Sequence, residues 1–292
     1  MSESTGIERR LRLLLDAAYA VNPNVHLAFL VEPHLSHAAR DALREQARQN
    51  LAAMLGGPVT VTLIPLAPAV RNPTGLLRQL VGAASLYRQA SIAPFVDAAP
   101  LASLASLLAD AAPEFVIAQR LTCAAMLLRL DPAALPPVFF DLDDVEHVSH
   151  ARAIRRPPYW RSKSLQYLHL PALMLGERRA IRLSRRAFVC SAADRERVRR
   201  DLAVDNVDVV PNAIVPPPRY VPPPAQPHLL FVGTYGYAPN RDAAEHLIDD
   251  IWPRIRARLP TATLTLAGAQ SHLLKHARAT PAGVVIAGFV TD

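Results

Sequence analysis

The stretch LLFVGTYGYAPNRDAAEHLI, residues 229–248, decides how this chain is read. An apolar run leads into a loop with two glycines and a proline, and then into a segment with helical spacing. That order predicts a strand over 228–232, a tight turn, and a helix over 241–259 with Asn240 as its cap. Downstream, the same grammar predicts strands at 263–266 and 284–287 and a helix near 272–278. Short apolar runs alternating with helical segments predict a parallel sheet. With so few elements one side of that sheet would be half covered, so 228–292 reads as an incomplete second domain.

Upstream the alternation is longer. Strands are expected at 26–31, 59–64, 114–118, 138–141, 187–190 and 207–210. Helices are expected at 7–19, 36–55, 74–88, 98–109, 121–130, 171–183 and 192–202. This is the pattern of a Rossmann-like parallel sheet covered by helices on both faces. Between the two regions lies IVPPPRYVPPPAQP, residues 214–227. Clustered prolines cannot continue a helix or a central strand and favour a stiff, extended connector. The expected division is therefore 1–213, a linker at 214–227, and 228–292.

The chain has 292 residues and a formal charge of +7, carried almost wholly by arginine, since Lys163 and Lys275 are its only lysines. Such a balance suits anionic partners. No zinc knuckle, basic heptad helix or aromatic-basic RNA motif accompanies it, so nucleic acid is not among the expected partners. Cys123 and Cys190 lie far apart in apolar contexts and read as buried thiols of a reducing compartment. The opening MSESTGIERR is polar rather than a secretory signal. Residues 51–70, LAAMLGGPVTVTLIPLAPAV, carry no charge, but Gly56, Gly57, Pro58, Pro65 and Pro68 break them into a helix end, a strand and a loop. A soluble, cytoplasmic protein is expected.

Two places concentrate chemistry. Gly233 and Gly236 follow a predicted strand and precede a helix, where backbone N–H groups and the helix dipole can meet a phosphate. GTYGYAPN matches neither the dinucleotide fingerprint nor a P-loop, and an ordinary strand-to-helix turn explains it equally well. The second place is FDLDDVEH, residues 140–147. Asp141, Asp143, Asp144, Glu146 and His147 would gather at a sheet edge, where a carboxylate or imidazole could take a proton from a hydroxyl. Asp141 and Asp143 could equally cap the next turn and pair with downstream arginines. A strand followed by Asp-x-Asp also fits a haloacid-dehalogenase-type phosphatase, with Ser191 and the pair Asp249–Asp250 in supporting roles. That reading needs a phosphate-binding lysine, and neither Lys163 nor Lys275 is well placed for it. A metal-binding Asp-x-Asp is a further alternative. The basic region 152–186, with Tyr159 and Trp160 interleaved, reads as a solvated helix face or as a surface for anionic membrane lipid. His34, His37, His272 and His276 form close pairs without a third ligand, so no metal is expected.

The block HLLFVGTYGYAPNRDAAEHLIDDIWPRIRARLPTATLTLAGA resembles the start of the C-terminal domain of family 4 glycosyltransferases. VFFDLDDVEHVSHARA, RRAIRLSRRAFVCSAADRERVRRDL and VDVVPNAI resemble the same family's N-terminal domain. STGIERRLRLLLDAA is similar to the loop and first helix that follow that domain's first strand. The resemblance implies the two-domain GT-B fold and transfer of a sugar from a nucleotide-sugar donor to a glycan or lipid-linked hydroxyl acceptor, without metal or other cofactor. It implies donor-side roles for Gly233, Thr234, Tyr235 and Arg241. Gly6, Arg9 and the cluster Asp143, Asp144, Glu146 and His147 fall on the acceptor side, the last four as catalytic candidates. The family often places Arg directly after the strand-end glycine and Lys a few residues later. Here Thr234 and the Asn240–Arg241 pair occupy those places. The family's paired glutamates would fall past Asp292 and its first strand before the present start, so the chain reads as truncated at both ends. A non-catalytic remnant or interaction module on the same scaffold is the second reading.

Overall fold

The computed structural model describes residues 6–31, 35–66, 98–155, 166–167, 169–213, 222 and 224–290. The expected helix at 74–88, most of the proline connector, His34, Tyr159, Trp160 and Lys163 lie outside the described residues. The chain divides into two compact units between Ile214 and Val215. It is an α/β protein in which every strand pairing is parallel among the described residues.

The first unit runs α1 (Gly6–Val21), β1 (His26–Val31), α2 (His37–Leu55), β2 (Thr60–Pro65), α3 (Ala98–Ala111), β3 (Val116–Gln119), α4 (Arg120–Leu127), β4 (Val138–Asp141), α5 (Glu146–Arg155), α6 (His169–Leu183), β5 (Arg186–Val189), α7 (Ala192–Leu202) and β6 (Val207–Val209). Strands β1 and β2 pair with each other, and β3, β4, β5 and β6 lie side by side in sequence order. The boundaries have local causes. Ser36 caps α2 by accepting from the Ala39 N–H at 3.2 Å. That helix ends where Gly56 takes a left-handed φ of 73° and returns its N–H to Ala52. Ser191 caps α7 in the same way, accepting from the Asp194 N–H at 3.1 Å while donating its hydroxyl to the Asp194 carboxylate.

One apolar core holds this unit together. Ile64 of β2, Leu104 of α3, Leu121 of α4, Phe140 of β4, Leu173 and Ile181 of α6, Val189 of β5 and Val198 of α7 are all buried in it. Each such side chain contributes about 2 kcal/mol by leaving water. The sequence pattern placed these strands well but missed α5, which follows the acidic cluster directly.

The second unit runs β7 (His228–Val232), α8 (Ala238–His246), a π-helical turn (Leu247–Ile251), α9 (Trp252–Arg258), β8 (Thr263–Ala267), a short 3-10 turn (Ser271–Leu273) and β9 (Val284–Gly288). Its sheet has the order β7-β8-β9. The long helix expected over 241–259 starts earlier, at Ala238, and is interrupted. Pro253 has no N–H to give the carbonyl four residues back, and the wider turn just before it has Trp252 donating five residues back to Leu247. The expected helix near 272–278 is a single 3-10 turn, with Lys275 and His276 engaged by Asp249.

Alternation along these strands fixes two unequal faces. Leu264, Leu266 and Val284, with Leu229, Phe231 and Ile286 beside them, pack with Tyr235, Ala244, Ile248, Trp252 and Leu274 into one core. On the other face Leu230, Val232 and Val285 are 62%, 68% and 53% exposed.

Candidate functional site

In an open parallel sheet, ligands bind past the carboxyl ends of the strands. At that end of the first unit, β4 delivers Asp141, β3 delivers Arg120, β5 leads to Cys190 and β6 to Asn212. Asp141 is fully buried and accepts from Arg10 of α1, whose Nε lies 2.9 and 3.0 Å from the two carboxylate oxygens. The same guanidinium donates from its Nη1 to the Val210 carbonyl at 2.7 Å and to Asn212 Oδ1 at 3.1 Å. Asp141 thereby ties α1 to the sheet. Arg10 was not singled out from the sequence, whereas its exposed neighbour Arg9 was. The signal was present: Arg10 lies four residues before Leu14 and five before the buried Leu15, on the inward stripe of α1.

Beyond Asp141 the chain turns sharply. Asp143 has φ of 51° and Arg120 has φ of 65°, so the chain leaves both neighbouring strands through a left-handed, non-glycine residue. Such conformations cost about 1–3 kcal/mol and persist only where the surroundings impose them. Asp143 is half-buried. Its carboxyl is raised above the ordinary range by burial and by the charge of Asp141, against the opposing charges of Arg120 and Arg10. Its carbonyl accepts from the Cys190 thiol at 2.9 Å. Asp144 is exposed and accepts from Ser149 Oγ at 2.7 and 2.8 Å, bracing the first turn of α5.

Glu146 opens α5. Burial, then the charge of Glu177, pushes its carboxyl up to about 7, against Arg120 and a hydrogen bond from the Leu121 N–H at the start of α4. A carboxyl that exchanges its proton near neutrality can serve as acid or base. His147 is turned inward. It is 6% exposed, its Nδ1 pairs with the buried Glu177 of α6, and its backbone N–H donates to Glu177 Oε1 at 3.2 Å. The structure thus brings Arg120, Asp143 and Glu146 together, sets Asp144 on the outer rim, and sends His147 into the helix layer. Arg120 and Glu177 were missed from the sequence. Glu177 shares the inward phase of Leu173, Ala180 and Ile181 on α6, which is the only local sign of it. Gly6 lies in the first turn of α1.

In the second unit the corresponding loop links β7 to α8. Gly233 donates its N–H to Ala267 and Tyr235 donates its own to Ala269, both at 3.0 Å. Gly268, at φ of 141°, passes so close that an added Cβ would lie 1.9 Å from the Gly233 carbonyl oxygen. Asn240 does not cap the helix. Its side-chain amide donates to the Thr234 carbonyl at 3.2 Å, and α8 begins two residues earlier. Tyr235 is buried in the core, its hydroxyl pushed up to about 12 by burial. Arg241 donates from its guanidinium to the Tyr235 carbonyl at 3.3 Å. The donor-side candidates therefore share one loop, but Tyr235 and Arg241 serve its own architecture.

No known protein family and no curated protein matches this sequence. Among solved structures, the chain is similar to a crystal structure described as the glycotransferase of kitacinnamycin. The identity is 13% and the TM-score 0.42, over 90% of this chain and 70% of the other. A likeness of that looseness does not decide the fold, which rests on strand order and register. Among the described residues no three His, Cys, Asp or Glu side chains are placed to hold a metal ion. No described helix is long and apolar enough to cross a membrane.

The phosphatase reading fares differently at each of its parts. The Ser191 hydroxyl caps α7, Asp249 is paired with Lys275 and His276, and Asp141 is buried under Arg10. None of these groups stands ready as nucleophile or ligand.

Proposed function

We propose that this chain is a GT-B-type sugar transferase, taking a nucleotide-activated sugar at the β7–α8 loop and a hydroxyl acceptor at the β3–β4 strand ends. The observation that carries the reading is the convergence of Arg120, Asp143 and Glu146 on two adjoining strand ends, with Glu146 exchanging its proton near neutrality. Glu146 takes the proton of the attacking hydroxyl, Asp143 orients that hydroxyl, and Asp144 holds the turn that carries both. Gly6 and Arg9 border the acceptor side. Thr234 offers its backbone N–H to the diphosphate, and Gly233, whose own N–H goes to the Ala267 carbonyl, keeps that place in the loop free of a side chain. The acceptor is a glycan or lipid-linked sugar at the cytoplasmic face of a membrane. Arg179, Arg182, Arg185 and Arg186, exposed within the basic region 152–186, suit an anionic lipid surface there.

A second reading rests on a specific observation. Thr234 carries no charge, and Arg241, in the first turn of α8, is engaged with the loop's backbone. This favours a protein that keeps the scaffold and binds without turnover.

Thermal melting with a panel of UDP-, GDP-, dTDP- and ADP-sugars tests both. A donor at a hundredfold excess over its Kd stabilises the folded state by about 2.7 kcal/mol. Under the transferase reading one nucleotide class raises Tm, and Glu146→Gln keeps that shift while abolishing sugar release. A shift without turnover in the unaltered chain supports the second reading. No shift with any donor at millimolar concentration removes both nucleotide-sugar assignments.

A further inference from the structure

His147 is surrounded by more charge than a structural histidine needs. Its Nδ1 and backbone N–H both engage Glu177 of α6, a side chain with no exposure at all. The carboxylate thus satisfies one of the orphan N–H groups in the first turn of α5 as well as the ring. The other ring nitrogen, Nε2, lies 3.6 Å from Asp201 Oδ2 on α7 and has no hydrogen-bond partner. Asp201 is itself held by Arg200 Nε at 3.0 Å. One imidazole therefore joins three helices. The charged groups facing this cluster are Glu177 from α6, Asp201 and Arg200 from α7, Glu146 on α5 itself, Asp144 just before it, and Arg120 from the start of α4.

We propose that His147, Glu177 and Asp201 form a proton-operated clasp that seats the first turn of α5, and with it the 141–146 loop, against α6 and α7. With the imidazolium present, each nitrogen has a proton to offer and each flanking carboxylate meets a positive charge. When one proton leaves, Nδ1–H stays on Glu177, and Nε2 turns a lone pair toward the Asp201 carboxylate. The attraction across that gap becomes repulsion, and the first turn loses its tie to α7. Loss of the Glu146 proton acts in the same direction by adding a negative charge beside Glu177. This inference stands whether or not the site transfers sugar.

The signs follow from the two groups. Burial opposes the charged imidazole, but the hydrogen bond and charge of Glu177, followed by those of Asp201, outweigh it and raise His147 above its ordinary 6.5. Its contribution to seating is complete below that ordinary value and lost as pH rises through the raised one. Glu146, moved from 4.5 to about 7, is protonated in the folded chain and ionised in the unfolded chain between those values. Its share is also lost as pH rises. Acid tightens the turn and alkali loosens it.

The test uses the full chain. The imidazole signals are titrated by NMR, and hydrogen exchange of the α5 amides is followed from about pH 5.5 to pH 8.5, corrected for intrinsic rates. The expected result is a His147 midpoint above 6.5 and protection of residues 146–150 falling by at least about tenfold more than that of α2. Asp201→Asn, at a partly exposed position that leaves the core intact, is expected to lower both midpoints together. His147→Gln is expected to remove the histidine step from the exchange profile and leave the smaller fall that belongs to Glu146. A His147 midpoint at or below 6.5, protection that falls equally in α2 and α5, or an Asp201→Asn chain with unchanged midpoints would each overturn the clasp.

Discussion

The two units close their sheets in opposite ways. In the first, side-chain charge holds the strand end and the turn beyond it, with Arg10 on Asp141 at the end of β4 and His147 on Glu177 where α5 meets α6. In the second, the strand ends are held by backbone, with the N–H groups of Gly233, Tyr235 and Gly268 donated to the carbonyls of Ala267, Ala269 and Gly288. Charge near a strand end tunes protons and can respond to pH, whereas the glycine-built turn spends these N–H groups on neighbouring carbonyls and brings no titratable chemistry of its own.

The strongest way to break the contrast is at Arg10. Arg10→Ala strands a carboxylate in the core and is expected to cost about 3–5 kcal/mol, whereas a paired Arg10→Met, Asp141→Leu exchange recovers most of the loss. Urea unfolding followed by circular dichroism checks both. Next comes Gly268→Ala, where an unfavourable φ and the close Gly233 carbonyl are expected to cost about 1–3 kcal/mol. With Trp160 replaced by Phe, Trp252 is the remaining tryptophan, and its fluorescence reads this loss in the second unit alone. Ser191→Ala removes the α7 cap for about 1 kcal/mol, read in the same dichroism experiment. The smallest effect is expected at Val232→Thr on the bare sheet face, within about 0.5 kcal/mol. A larger loss there, measured by the tryptophan midpoint, would mean that this face is covered in the folded chain.

How much of this could be read from sequence depends on the range of the cause. Strands such as β4 and β8 were legible because alternation or continuous apolarity is a local property. Helix α5 was not, because EHVSHARAIR has few apolar residues and its leading acids look like a turn; contact with α6 makes it a helix. The acidic cluster was legible as a cluster but not as roles. Asp141 and His147 point inward because Arg10 and Glu177 arrive from 131 and 30 residues away, and no local pattern carries that. The general sign in both cases is a charged residue in phase with a helix's apolar stripe. The glycine loop was placed correctly, yet Arg241 folding back on Tyr235 depends on a rotamer that spacing does not encode.

The π turn at Leu247–Ile251 sets a rotational phase for everything after it. One residue more than a regular helix requires is absorbed there, so Ile248 and Trp252 both face the sheet. Deleting a single residue from 247–251 would let the helix close into regular turns with Trp252 still in phase, whereas inserting one ahead of Trp252 would swing it by about 100°, away from the Ala282 carbonyl that its indole N–H now meets at 3.1 Å. An insertion that short, far from either glycine, would unthread the hydrophobic layer on which β8 rests.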